Sequence, residues 1–70
     1  MSQLQDFQQR VVDEKQELDD KLDKLRVFLR SDRALALDFT DRSLLVMQER
    51  AMTDYTSILA DRINRFFERG

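Results

Sequence analysis

The chain has 70 residues, of which 41% are hydrophobic and 37% charged, with one glycine and no proline, cysteine, histidine or tryptophan. Disulfide staples and Cys/His zinc sites are excluded as supports for a small fold, and the commonest general base and the most reactive nucleophile are both missing. Twelve basic residues against fourteen acidic leave a net charge of −2, too balanced for general attraction to nucleic acid or an anionic membrane.

These exclusions point to a binding protein that is not an enzyme and carries no cofactor and no metal. A chain this short buries only about 60% of the surface its unfolded form exposes, so oligomerisation is the ordinary remaining source of stability. No apolar run approaches the roughly 20 residues needed to span a bilayer, and no charged, apolar secretory segment opens the chain, so a cytoplasmic location is expected.

Ser2 stands three residues ahead of Gln5, a capping-box spacing that predicts a first helix over residues 3 to 30. Along it Leu4, Val11, Leu18 and Leu25 recur every seventh residue. Leu22 and Leu29 fill the companion positions in the second half, whereas Gln8 and Lys15 hold them in the first. Phe7, Val12, Val27 and Phe28 flank this seam. The acids Asp13, Glu14, Glu17, Asp19, Asp20 and Asp23 spread around the helix among lysines and lack the glycine-turned loop of a calcium site, so they read as a solvated face. Glu17 with Lys21 and Asp20 with Lys24 have the spacing and order of helix-stabilising pairs.

Ser31 and Asp32 interrupt the seam, and residues 31 to 39 form the connection. Within it Leu35, Leu37 and Phe39 alternate, but a strand has no partner here, so a short helical turn or ordered loop that tucks these side chains against the helix ends is expected. Asp38 or Thr40 can cap a second helix over residues 40 to 67. That helix repeats Leu45, Met52, Leu59 and Phe66 at sevens, with Leu44, Ala51 and Ile58 beside them and Tyr55 and Ile63 completing the face. A stripe this broad implies more than one neighbouring helix. The expected architecture is all-α: an antiparallel two-helix hairpin forming one domain, dimerising into a four-helix bundle through seams that include Leu18, Leu22, Leu25, Leu29, Leu45, Met52, Leu59, Ile63 and Phe66.

Arg26, Arg30, Arg33 and Arg42 gather at the turn with Phe28 and Phe39. Three readings fit. The arginines pair with Asp32, Asp38 and Asp41 while the phenylalanines plug the hairpin's end; the cluster is a hot spot for a target protein; or it holds a small anionic ligand on the guanidinium forks. On the second reading Phe28, Arg30, Arg33 and Phe39 are the partner-binding residues, with Tyr55 on the second helix as a further candidate. Arg62, Arg65 and Arg69 suit the negative C-terminal end of the second helix, and Phe66 and Phe67, about 100° apart, cannot both be buried easily.

The runs FQQRVVDEKQELDDKLDKL (residues 7–25) and MTDYTSILADRI (residues 52–63) resemble a family of small tailed-phage helical-hairpin proteins, most closely its anti-quorum-sensing members from Pseudomonas phages. The resemblance implies a helical homodimer in the host bacterial cytoplasm that blocks a host protein. Its implied targets are a LuxR-type quorum-sensing regulator such as LasR and the type IV pilus assembly ATPase PilB. Two alternatives stand beside it: a sponge that sequesters a cyclic-nucleotide defence signal between protomers on Arg26, Arg30 or Arg33, and a structural coiled-coil adaptor.

Overall fold

The first helix begins later than the serine spacing predicts. In the computed structural model, which describes residues 4 to 68, α1 runs Asp6–Leu29 with Gln5 as its N-cap. The Gln5 backbone N–H donates to Gln8 Oε1 at 2.8 Å, which satisfies an amide ahead of the first turn. Asp6 occupies the first turn, where the helix dipole favours a carboxylate. Ser2 lies outside the described residues. At the far end, the Arg30 N–H donates to the Val27 carbonyl at 3.2 Å and the Ser31 N–H to the Phe28 carbonyl at 3.0 Å, bonds three residues apart that tighten the last turn.

A single helical turn follows, α2, Asp32–Leu35, and then the long α3, Phe39–Glu68. The Asp38 carboxylate accepts the Asp41 N–H at 2.8 Å, so Asp38 rather than Thr40 caps α3. The connection buries different side chains from those expected. Ala34 is fully enclosed and Leu37 half-buried, while Leu35 and Phe39 are 69% and 77% exposed. The turn imposes helical spacing here, so residues three apart share the inner face and Leu35 and Phe39 are left outside it. Phe28 is half-buried and Phe39 faces solvent, so the two do not jointly plug the hairpin.

α1 and α3 pack antiparallel, since contacts that climb one helix descend the other: Phe7 meets Phe66, Asp19 meets Thr56, and Arg26 meets Thr53 and Glu49. The packed seam follows an alternating three-four spacing on both helices. It starts at Leu4, just ahead of α1, continues on α1 through Gln8, Val11, Lys15, Leu18, Leu22, Leu25 and Leu29, and on α3 runs Leu45, Glu49, Met52, Thr56, Leu59, Ile63 and Phe66, every one buried or half-buried. Val11, Leu22 and Leu59 are its most enclosed members.

The broad apolar stripe of the second helix divides in two. Leu45, Met52 and Leu59 face α1 of the same chain, and Glu49 and Thr56 join them on the seam. Leu44, Ala51, Tyr55 and Ile58 are left outside it, exposed. The hairpin measures 51 × 18 × 15 Å. Among the described residues there is no strand and no helix long and apolar enough to cross a membrane.

Candidate binding site

The turn holds four of the five residues singled out for partner binding, but as separate features. Phe28 lies in the last turn of α1, Arg30 is its C-cap, Arg33 is on α2 and Phe39 opens α3. Arg30 and Arg33 are exposed, and neither they nor Arg42 form an ion pair with Asp32, Asp38 or Asp41. Asp38 is engaged as a helix cap instead. Tyr55 stands sixteen residues along α3 from Phe39, about 24 Å at 1.5 Å per residue, so it belongs to a different region.

Arg26 is committed within the fold. Its Nε donates to Glu49 Oε2 at 2.9 Å and its Nη2 to Thr53 Oγ1 at 2.9 Å, so this guanidinium is a cross-helix clamp rather than a spare phosphate ligand. About two turns closer to the N-terminus, Asp19 accepts from Lys15 Nζ at 2.7 Å and from the Thr56 hydroxyl. The Lys15 hydrogen bond first and the Thr56 bond second hold the Asp19 carboxyl below its ordinary range. Glu14 accepts the Tyr55 hydroxyl, and that bond to a carboxylate pushes the Tyr55 phenol up. These contacts explain why polar side chains occupy a seam: Glu49 meets Arg26 and Thr56 meets Asp19 across the hairpin, Lys15 pairs with Asp19 and Gln8 with Gln5 along the first helix, and no buried side-chain nitrogen or oxygen among the described residues lacks a hydrogen-bond partner. Lys15–Asp19 is the intrahelical ion pair that forms, whereas Glu17–Lys21 and Asp20–Lys24 do not.

Aromatic and cationic side chains converge on a concave surface at the opposite end from the turn. Phe7 from α1 meets Phe66 from α3 edge to face, ring centroids 6.2 Å apart at 81°. Together with Gln8, Arg62, Arg65 and Glu68 they line an open groove of about 580 Å³. Phe7 remains 57% exposed and so offers a ring face to an incoming group. Arg62 and Arg65 are exposed and free of ion pairs, leaving two guanidinium forks against the single Glu68 carboxylate. A groove of this size falls within the usual range for small ligands, and its lining pairs an aromatic platform with bidentate anion donors. No group of three or more acidic residues could hold a metal ion among the described residues.

Along the sequence Arg62 and Arg65 stand only as complements to the helix dipole, and Phe7 only as a flank of the seam. What joins them is the register of the hairpin, which sets the seventh residue beside the sixty-sixth. Arg69 lies outside the described residues.

No curated protein and no solved structure matches the chain. A family model described as Sequestin matches residues 5–65. That span takes in all of α1, most of α3 and nearly all of the packed seam. The chain therefore belongs to the Sequestin family, whose name suggests a small sequestering protein.

Proposed function

We propose that this protein is a non-enzymatic sponge that withdraws a nucleotide signal from its host by stoichiometric binding in the groove between the free ends of α1 and α3. The observation that carries this reading is the convergence of exposed Phe7, edge-packed on Phe66, with the unpaired Arg62 and Arg65. A nucleotide presents what such a lining recognises, a flat base for the aromatic ring and phosphates for the guanidinium forks. Family membership supports sequestration as the mode of action. The groove replaces Arg26, Arg30 and Arg33 as the phosphate-binding set, because Arg26 is already held by Glu49 and Thr53. A phage origin, a host cytoplasmic setting and action as a homodimer are part of the same reading.

The exposed Phe39 and the unpaired Arg30 and Arg33 favour a second reading, an inhibitor that docks its turn on a host protein such as a LuxR-type regulator or the pilus ATPase. Thermal denaturation across a panel of cyclic and linear nucleotides separates the two. A ligand at one hundred times its Kd adds about 2.7 kcal/mol of stability, which corresponds to roughly 10–20 °C in Tm for a chain of this size. The sponge reading predicts such a shift for at least one nucleotide and its loss in Phe7→Ala and Arg62→Glu. A flat response across the panel, with capture of a host regulator that depends on Arg30, Arg33 and Phe39, would establish the second reading instead.

A further inference from the structure

α3 carries a second apolar stripe that the hairpin does not use. Leu44, Met47, Ala51, Tyr55 and Ile58 are all exposed, the four larger ones at 56%, 62%, 41% and 55% in that order. At about 100° per residue they fall within an arc of some 80°, centred about 120° away from the seam that packs on α1. Their spacing is three, four, four, three, which reads the same in both directions about Ala51.

We infer that this stripe is the interface with a second copy of the chain, α3 lying antiparallel on α3 about a two-fold axis at Ala51. The inference rests on the homodimer reading above and specifies its face and geometry. A palindromic stripe is what a self-complementary contact requires, since each residue must meet its counterpart on the reversed helix. Leu44 comes opposite Ile58 of the partner subunit, Met47 opposite Tyr55 of the partner subunit, and the smallest side chain sits on the axis, where the two backbones approach most closely.

Charge supports the same pairing. Arg50 and Asp54 share one flank of the stripe, and neither forms an ion pair within the chain. Reversal about Ala51 brings Arg50 alongside Asp54 of the partner subunit and generates the mirror pair by symmetry. On its other edge the stripe is steadied from within, because Glu14 accepts the Tyr55 hydroxyl.

The elongated chain also has surface to spare for such a contact. The chain exposes 5804 Å² for 8.4 kDa, whereas a folded monomer of that mass exposes about 4,600 Å². The surplus of roughly 1,200 Å² exceeds the roughly 800 Å² that each partner contributes to an ordinary stable interface. The pairing has a consequence for the groove. It carries the turn of each chain, with its exposed Phe39, alongside Arg62 and Arg65 of the partner subunit. The two clusters at opposite ends of one hairpin thereby become neighbours across the dimer.

The test is the mass of the full-length chain by sedimentation across a micromolar range, with variants on the stripe. The expected mass is twice 8.4 kDa. Ala51→Glu sets two carboxylates against each other on the axis and should weaken dimerisation about a hundredfold or more while circular dichroism shows the helices intact. Arg50→Asp and Asp54→Arg should each weaken it, and the double swap should restore it. Because the chain has no cysteine, Ala51→Cys should give an oxidised dimer, whereas Phe67→Cys should not. A wild-type chain that is monomeric throughout would overturn both the homodimer and this face. A dimer indifferent to Ala51→Glu and to the Arg50 and Asp54 swaps would keep the homodimer and overturn the face. Capture of a host protein on this stripe by a monomeric chain would likewise overturn the assignment.

Discussion

Replacing Leu59 with alanine probes the packing that positions every other feature. Leu59 is 0% exposed, the one large side chain of the hairpin to be wholly enclosed among the described residues. The substitution removes three carbons from a buried site, about 2.4 kcal/mol at about 0.8 kcal/mol per methylene. The cavity left on a seam that cannot fully collapse raises the cost to about 3–4 kcal/mol. A chain of 70 residues has a total stability of roughly 4–10 kcal/mol, so the variant should be close to unfolding. In a thermal melt followed by circular dichroism the loss corresponds to about 12–30 °C in Tm. Phe67→Ala is the control: Phe67 is larger but 67% exposed, and its removal should cost no more than about 0.5 kcal/mol. Both must be measured at the wild-type protein concentration, because any self-association adds to apparent stability. A loss below about 1 kcal/mol for Leu59→Ala, or one no larger than the control's, would refute the seam.

Further outcomes follow from the polar contacts. Arg26→Leu and Glu49→Leu should each destabilise by about 1 kcal/mol, since each strands a half-buried partner, while the double variant should equal or exceed wild type; chemical denaturation of the four proteins measures the coupling. Asp19 has a depressed folded-state pKa, so its contribution is complete above the unfolded value of 3.8 and is lost as pH falls through the folded value. Melts carried down through that acidic window should show a steeper loss in wild type than in Asp19→Asn, and parallel curves would contradict the Lys15 and Thr56 contacts. Thr56→Val should flatten the acid limb in part, because it removes one of the two hydrogen bonds that hold the carboxyl ionised.

The sevenfold repeats through Leu18 and Leu25 and through Leu45, Met52 and Leu59 were enough to place two helices and turn them toward each other. The companion positions on the second helix were not. Judged by apolarity alone, Leu44, Ala51, Tyr55 and Ile58 outrank Glu49 and Thr56. The structure reverses that order because Glu49 faces Arg26 and Thr56 faces Asp19 across the hairpin. Complementarity between two helices is a property of their register, and no single helix displays it. The same holds for the groove, whose residues lie at opposite ends of the sequence and converge only when α1 and α3 align. The turn cluster shows the converse: Arg30, Arg33 and Phe39 are close along the chain, yet the local helical turn sends them outward rather than into one site.

The central claim is that the Phe7, Arg62, Arg65 and Phe66 groove withdraws a nucleotide by binding it unchanged. Isothermal titration of the full-length protein with the nucleotide that most raises its Tm tests this most directly, followed by release of the ligand on denaturation and its analysis by mass spectrometry. The account predicts saturable binding with a fixed stoichiometry of one ligand per groove or one per dimer, loss of binding in Phe7→Ala and Arg62→Glu, and recovery of the ligand intact. Binding that survives both substitutions, or a ligand recovered as hydrolysed product, would contradict it.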